Sequence, residues 1–330
     1  ITYINEKSVF EENDLPTEIV DIKITKESKK FIEAKTIKIK KESKDRIKPI
    51  CPYYDQCGGC NLMHMNYSTQ LEFKLHKIEQ IMNKYAGYEG PIEQIISTNH
   101  FLNYRNKITL KVKNGELGLL SSKSHHLIPI EECAICDQKI NRIIFQLKQC
   151  DLTQTSQIII KTGDIETMVI VDNGNEKELK EKLKDVTSLI KNKQCIQGKD
   201  FILNKIGPKI FQISKESFFQ VNQYTTKKLY DLVLEKANLT QKETILDLYC
   251  GTGTIGIYLS DYVQKCLGIE INSQAISDAI ENKKRNHIKN FEFISADVSK
   301  IINQITENPD LIIVDPPRSG LDNTTINTLF

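Results

Sequence analysis

Two hydrophobic segments near the C-terminus each stop at a turn that carries a carboxylate, and this pair constrains the fold most. They are Asp-Leu-Tyr-Cys-Gly-Thr-Gly-Thr-Ile-Gly at 247–256 and Leu-Ile-Ile-Val-Asp-Pro-Pro-Arg at 311–318. Around them, short apolar runs alternate with stretches of helical periodicity, which is the signature of a doubly wound parallel sheet. The pattern predicts an α/β fold whose strand ends hold a nucleoside-bearing ligand. The predicted strands are 244–248, 266–270, 291–294 and 311–314, and the predicted helices are 254–262 and 273–286.

The first turn carries a glycine pattern that suits a nucleoside ligand. Gly251, Gly253 and Gly256 spell G-x-G-x-x-G, and Glu270 stands at the end of the next predicted strand. Glycines allow the backbone to approach a ligand, and a carboxylate accepts hydrogen bonds from both ribose hydroxyls. Taken alone, the pattern fits a dinucleotide site as well as an S-adenosylmethionine site. Cys250, within this turn, is expected to pack rather than to act as a nucleophile.

The second turn separates these two possibilities. A rigid double-proline turn, as at Asp315-Pro-Pro-Arg318, can hold a target base beside a methyl donor, whereas a dehydrogenase has no need of it. Methyltransferases that act on exocyclic amines generally carry an aromatic residue after the prolines. Arg318 can instead donate to a pyrimidine carbonyl or to a phosphate. The remaining alternative is a simple strand-ending turn.

The N-terminal part of the chain is rich in lysine. Residues 18–41 alternate apolar and polar side chains around a central turn, which predicts a strand hairpin. Residues 21–48 hold eleven Lys or Arg against five Asp or Glu. This excess suits a phosphate backbone, although a solvated lysine-rich surface gives the same composition. Because two strands are not stable alone, the hairpin is expected to complete a small barrel that begins in or before residues 1–17.

The middle of the chain reads as a helix followed by a mostly β region. Helical spacing begins near Ser68 and ends at Gly87. Residues 95–213 then alternate short apolar runs with turn residues, which predicts several strands and one helix at about 176–190. From about Gln223 the periodicity becomes helical again and leads into the parallel sheet.

A group of cysteines gives the strongest metal signal. Cys51, Cys57 and Cys60 lie within ten residues, with two glycines between the last two. Cys133 or Cys136 is the candidate for a distant fourth ligand. The three-plus-one spacing favours a [4Fe–4S] cluster. A structural zinc held by four cysteines is the competing interpretation, and unligated thiols are the third.

The length and composition of the chain indicate how many domains it forms and in which compartment it is expected. A length of 330 residues favours two or three domains, and 39% hydrophobic residues are enough for a packed core. No apolar run reaches the length of a membrane span, and the first residues carry no export signal. Nine cysteines without such a signal indicate a reducing compartment, so we expect a cytoplasmic protein with no membrane partner.

Together these residues resemble the RNA uracil-C5 methyltransferases that carry an iron–sulfur cluster, in particular the bacterial 23S rRNA 5-methyluridine type. The resemblance implies a Rossmann-like class I methyltransferase domain at 217–330. It implies an iron–sulfur and β-rich central domain at 49–216, with helix 68–86 available to pack on the catalytic domain. Residues 1–48 are similar to part of a TRAM domain, an oligonucleotide-binding-type barrel that binds RNA.

The same resemblance implies roles for individual residues. Phe218-Phe219-Gln220-Val221-Asn222 is similar to the family's Phe-Gln-x-Asn motif, Thr254 is a weaker cofactor candidate, and Tyr104–Lys107 is a candidate RNA-facing segment. Arg318 is expected near the substrate base. The residues expected on S-adenosylmethionine are Gln220, Tyr249, Glu270 and Asp315. Those expected on the [4Fe–4S] cluster are Cys51, Cys57, Cys60 and Cys133, the last preferred to Cys136.

The implied activity is S-adenosylmethionine-dependent methylation of uracil C5 in RNA through a covalent cysteine–C6 adduct. Relatives that act on tRNA generally lack both barrel and cluster, so 23S rRNA is the expected partner of a monomeric enzyme. A tRNA enzyme and a non-catalytic iron–sulfur RNA-binding protein remain alternatives. In the family the nucleophilic cysteine and the general base follow the position of Phe330. Residues 1–330 by themselves, with an incomplete sheet, are therefore expected to bind cofactor weakly and to be inactive.

Overall fold

The structure is a computed structural model that describes residues 2–11, 13–122, 124–305 and 308–329. The chain forms two compact units. Unit 1 comprises Ile1–Phe101 and Leu119–Ile130, and unit 2 comprises Leu102–Gly118 and Glu131–Phe330. The domain boundaries at 48 and 216 stay a prediction. Within the described residues, no helix has both the length and the apolar character needed to cross a membrane.

Unit 1 begins with a small sheet of order β1-β2-β4-β3. Its strands are β1 (Thr2–Ile4), β2 (Lys7–Phe10), β3 (Ile19–Glu27) and β4 (Phe31–Lys41). β3 and β4 pair antiparallel, which confirms the hairpin expected at 18–41. Val9, Leu15 and Ile32 form its buried side, while most of its lysines are exposed. A complete TRAM barrel stays a prediction.

Helix α1 (Tyr67–Ala86) follows in unit 1 and confirms the helix expected from Ser68 to Gly87. The Asn66 side chain accepts a hydrogen bond from the Thr69 N–H and so caps its first turn. Gly87 ends the helix in the left-handed conformation, with its N–H donating to Asn83 O.

Unit 2 opens with a sheet whose strands were largely expected from their alternating apolar residues. β5 (Lys107–Lys113) lies between β6 (Glu116–Leu120) and β8 (Gln157–Thr162). The unit boundary falls within β6, and β7 (Leu127–Pro129) belongs to unit 1. The remaining strands are β9 (Thr167–Val171), β10 (Ser188–Lys191) and β11 (Gln194–Gly198), in the order β11-β10-β9-β8-β5-β6. The helices of this region are α2 (Gln138–Leu147) and α3 (Glu176–Lys182).

The helix expected at about 176–190 is wrong in its second half. α3 ends at Lys182, and the chain enters strand β10 at Ser188. The physical reason is pairing: β10 lies parallel to β9, and its Leu189 and Ile190 are fully buried there. Tertiary burial therefore overrides a helical periodicity that is short to begin with.

The C-terminal part of unit 2 is the expected parallel sheet. Its order is β16-β15-β14-β17, and every neighbouring pair is parallel. The strands are β14 (Thr244–Leu248), β15 (Lys265–Glu270), β16 (Phe291–Ser295) and β17 (Leu311–Val314). The segments around them are the β12 (Phe201–Ile206) and β13 (Lys209–Ser214) hairpin, α4 (Gln223–Ala237), α5 (Thr254–Leu259), α6 (Ser273–Arg285), α7 (Val298–Ile301) and α8 (Asn323–Leu329).

The central strand of this sheet is buried on both faces. Ile245 packs in a cluster with Phe211, Tyr230 and Phe291, while Leu248 on β14 packs in a second cluster with residues of β15 and α7. A parallel strand covered on both faces reads as a nearly continuous hydrophobic run, interrupted here by Asp247, which is why 244–248 could be placed from sequence.

Candidate functional site

Three parallel strands end together at one edge of the C-terminal sheet. Leu248 of β14 is level with Ile269 of β15 and with Val314 of β17. The residues that follow are Tyr249, Glu270 and Asp315, so the structure brings these three predicted site residues to the same edge. In open parallel sheets, ligands bind outside the carboxyl ends of the strands.

The turn after β14 leaves open space beside a fixed carboxylate. Gly251 has a φ of +54°, and a Cβ added there would meet no atom within 4 Å. The Gly251 N–H donates to Glu270 Oε2 at 3.2 Å, and the Asn272 N–H donates to Glu270 Oε1 at 2.8 Å. Both carboxylate oxygens are therefore oriented by backbone donors, next to a space that a ligand can fill. Tyr249 also takes a positive φ, of 61°, which is strained for a non-glycine residue.

Asp247 underlies this edge and is buried. Its Oδ2 accepts a hydrogen bond from the Gly256 N–H at 3.1 Å. The pKa of Asp247 is raised to about 7, mainly by burial and also by the negative charges of Asp315 and Glu270, while the hydrogen bond from the Gly256 N–H opposes the rise. A Cβ on Gly256 would lie 2.4 Å from the Phe291 ring, so only glycine allows this close approach. The negative charge at this strand edge therefore lies mainly on Glu270 and Asp315.

Gln220 lies in the segment between β13 and α4, which is held by the first sheet of unit 2. The Asn106 amide Nδ2 donates to Gln220 O at 3.0 Å, and the Asn106 N–H donates to Val221 O at 2.9 Å. Phe219 is buried, whereas Phe218 is 64% exposed and Gln220 is half-buried. Asn106, expected in an RNA-facing segment, is turned inward and has a structural contact.

Asn282 on α6 was not expected from sequence, and it connects β13, at Gln212, to the turn after β14. Its Oδ1 accepts from the Gln212 N–H at 2.6 Å, and its Nδ2 donates to Thr252 O at 3.2 Å. Asn282 is fully buried. One signal was available in the sequence: Asp278 and Asn282 interrupt the apolar face of α6 that includes Ala275 and Ala279.

Arg318, Thr254 and Cys250 differ in their exposure to solvent. Arg318 is exposed in the turn that Gly320 closes with its N–H on Pro317 O at 2.9 Å, and it makes no ion pair with any described residue. The Thr254 hydroxyl is hydrogen-bonded to the Tyr230 hydroxyl at 2.7 Å. Cys250 is buried, and burial raises the pKa of its thiol well above the ordinary value, so it is unsuited to attack.

The cysteines of unit 1 lie in a tight loop. The Gly59 N–H donates to Cys57 Sγ at 3.4 Å, and the Gly58 N–H donates to Leu120 O at 3.2 Å. The Cys57 N–H donates to Tyr53 O at 2.8 Å, and the Tyr54 N–H donates to Cys51 O at 3.2 Å. A backbone N–H directed at a sulfur stabilises a thiolate.

Cys133 lies in unit 2 at the start of a turn. Its N–H donates to Asn141 Oδ1 at 2.9 Å, and its O accepts from the Cys136 N–H at 3.0 Å. A hydrogen bond from the Cys136 thiol is the main cause that lowers the pKa of Cys133 to about 6. Across the described ranges, no three His, Cys, Asp or Glu side chains are gathered as a metal site. The four-cysteine ligand set stays a prediction.

Comparison with known proteins supports one family. Residues 175–329 match the family model described as tRNA (Uracil-5-)-methyltransferase. An uncharacterized RNA methyltransferase of Clostridium tetani is 31% identical over 372 residues, covering 99% of this chain and 80% of that protein. An uncharacterized RNA methyltransferase of Clostridium acetobutylicum is 33% identical over 373 residues, covering 99% of this chain and 81% of that protein.

A solved structure is similar over nearly the whole chain. It is that of Pyrococcus abyssi tRNA (uracil-54, C5)-methyltransferase in complex with S-adenosyl-L-homocysteine. The TM-score is 0.80 at 25% sequence identity, and the match covers 98% of this chain and 83% of the other.

The buried carboxyl of Asp247 should make stability fall as pH rises. Its folded-state pKa of about 7 exceeds the ordinary value of 3.8. Between pH 3.8 and about pH 7 the folded protein therefore binds more protons than the unfolded chain does. The free energy of unfolding then falls with rising pH by up to about 1.4 kcal/mol per pH unit. Denaturant unfolding of wild type and Asp247→Asn from pH 5 to pH 7 should show this slope only in wild type. The exposed Asp200→Asn control should keep it; equal slopes for wild type and Asp247→Asn would contradict the assignment.

Proposed function

This chain belongs to the RNA uracil-5-methyltransferase family, and from that premise we propose that it methylates C5 of uracil in RNA, with S-adenosylmethionine as the methyl donor. The observation that carries the proposal is the common strand edge. Glu270 and Asp315 follow the two strands on either side of β14, and the space beside Gly251 is open between the backbone and Glu270.

The residues at this edge fit S-adenosylmethionine. When bound, it supplies an activated methyl group on a positively charged sulfur. Glu270, with both oxygens already oriented by backbone N–H groups, is suited to accept the ribose hydroxyls. The negative charges of Glu270 and Asp315 favour a cationic ligand. Gln220 and Tyr249 complete the set that we propose to contact the cofactor.

We propose a covalent mechanism for the target base. A cysteine thiolate adds to C6 of uracil, which makes C5 nucleophilic; after C5 is methylated, a base removes the C5 proton and the thiolate leaves. Cys250 is not this nucleophile, because its thiol is buried and its pKa is raised. Exposed Arg318, directly after the double-proline turn, is suited to donate to a carbonyl of a flipped uracil.

The hairpin of unit 1 supports an RNA substrate. Lys23 and Lys35 face each other across β3 and β4, and both are exposed. Like charges directly opposite on a sheet are destabilising unless an anion lies between or above them. A phosphate backbone supplies that anion, so we propose that this surface binds RNA.

We propose 23S rRNA as the substrate, on the basis of the predicted N-terminal barrel and the cysteine pattern. The second candidate is tRNA, because the solved structure of similar fold is that of a tRNA (uracil-54, C5)-methyltransferase. The proposed [4Fe–4S] ligands are Cys51, Cys57, Cys60 and Cys133. The Gly59 N–H directed at Cys57 Sγ supports thiolate character at Cys57. Because methyl transfer is redox-neutral and needs no electron, we propose that the cluster has a structural role.

Cofactor binding should depend on the two edge carboxylates. Glu270→Gln and Asp315→Asn should each weaken S-adenosylhomocysteine binding about 10- to 100-fold, since each removes a hydrogen bond to a charged acceptor. Isothermal calorimetry measures the loss. Glu292→Gln, an exposed carboxylate on β16, is the matched control and should bind as wild type does. Binding of RNA without any binding of S-adenosylhomocysteine by wild type would favour a non-catalytic RNA-binding protein.

Deleting the gene in its host should remove 5-methyluridine from 23S rRNA. Mass spectrometry of isolated rRNA and tRNA locates the missing methyl groups, and complementation with wild type but not with Asp315→Ala should restore them. Loss from tRNA alone would make the second candidate the substrate. If all 5-methyluridines persist in both RNAs, the proposed activity is wrong.

Iron binding should require the unit 1 cysteines. Anaerobically purified wild type should contain about four irons and four sulfides per chain, with the broad visible absorption of a [4Fe–4S] cluster. Cys57→Ser should lose most of both, whereas Cys195→Ser, an exposed cysteine on β11, should retain them. Stoichiometric zinc without sulfide would support the zinc alternative instead.

A further inference from the structure

The segment between β13 and α4 has no regular secondary structure, yet one buried lysine organises its first residues. The Lys161 ammonium on β8 donates to three backbone carbonyls: Ser214 O at 2.9 Å, Lys215 O at 2.8 Å and Ser217 O at 3.0 Å. Lys161 is only 4% exposed. All three N–H bonds of the ammonium are therefore used. Lys215 and Ser217 lie beyond the end of β13, so their carbonyls accept from Lys161 and not from a neighbouring strand.

A second buried group holds the same segment from the opposite layer. The Asp278 carboxylate on α6 accepts from the Ser214 hydroxyl at 2.6 Å and from the Ser217 hydroxyl. Asp278 is 2% exposed. The segment thus lies between a buried cation from one sheet and a buried anion from α6, and Asn106 holds its far end at Gln220 and Val221.

These contacts fix the direction of the side chains that follow. Ser217 and Phe219 point inward and are buried, while Phe218 points outward and is exposed. Gln220 comes next, half-buried. A shift of the backbone at 214–217 would therefore change where the Phe218 and Gln220 side chains lie.

We propose that Lys161 is a positioning residue, whose ammonium holds the 214–217 backbone so that Gln220 is presented to the cofactor. This inference rests on the proposed function, because that function gives Gln220 its role. A buried charge is tolerated when all of its hydrogen bonds are made. The Lys161 ammonium makes all of its hydrogen bonds to one segment of the chain, residues 214–217.

The charged groups facing Lys161 are Lys107 on β5, Asp278 on α6 and Glu216 in the segment itself. The pKa of Lys161 is lowered to about 7, mainly by burial and also by the charge of Lys107, while the two carboxylates oppose the shift. Below that pH the ammonium has three protons for three carbonyls, and above it the neutral amine has two. The hold on the segment should therefore weaken as pH rises.

The test compares Lys161→Met with Lys139→Met. Lys139 is a matched control because its ammonium also bonds two backbone carbonyls, Gly163 O at 2.5 Å and Asp164 O at 2.7 Å, away from the segment. Since the chain has no tryptophan, Phe218→Trp supplies a single fluorescent probe on the segment. Its anisotropy reports local mobility, and calorimetry reports S-adenosylhomocysteine affinity.

In the Phe218→Trp background, Lys161→Met should lower the anisotropy and weaken S-adenosylhomocysteine binding about tenfold, as expected when a preorganised contact must be ordered on binding. Lys139→Met should change neither. The ratio of wild-type to Lys161→Met affinity should shrink from pH 6 to pH 9. Unchanged anisotropy and affinity in Lys161→Met would overturn the inference while leaving the proposed function intact. Absence of binding by wild type would instead overturn the proposed function.

Discussion

The parallel pairing of β14 with both β15 and β17 is the constraint on which the site depends. Parallel strands share a direction, so their carboxyl ends meet at one edge, and the register makes Leu248 level with both Ile269 and Val314. Glu270 and Asp315 are far apart in sequence, and only this pairing brings them together. A shift of register by one residue would turn every side chain of the shifted strand to the other face.

Buried polar groups then tie the surrounding layers to that edge. Asn282 on α6 and Asn286 directly after its end accept hydrogen bonds from the backbone N–H groups of Gln212 and Ile210 on β13. The outer edge of the two-stranded hairpin is thereby bonded without a third strand. Asn282 also reaches Thr252 in the turn after β14. Each such group is costly unless its bonds are made, and together they specify one arrangement of helix, hairpin and turn.

The electrostatics of the edge follow from the same architecture. Asp247 is buried beneath the turn because β14 is covered on both faces, and its carboxyl is stabilised by one backbone donor. Burial raises its pKa, and the two carboxylates nearby also raise it, so Asp247 tends to hold its proton and the negative charge of the edge lies on Glu270 and Asp315. Such an arrangement is unfavourable for an empty site and favourable for a cationic ligand.

The sequence by itself determined the strands of the parallel sheet, the glycine turn, the lysine-rich hairpin and helix α1, because each has a local pattern of burial or turn chemistry. It misplaced the end of α3, where the parallel partner β9 decides that Ser188–Lys191 is a strand. Only the tertiary structure decided the roles of Lys161, Asp278, Asn106 and Asn282. Their partners lie between 30 and 114 residues away along the chain, and a buried lysine reads in sequence like any exposed one. Hydrogen bonds across such separations leave no periodic trace, so no local pattern could reveal them.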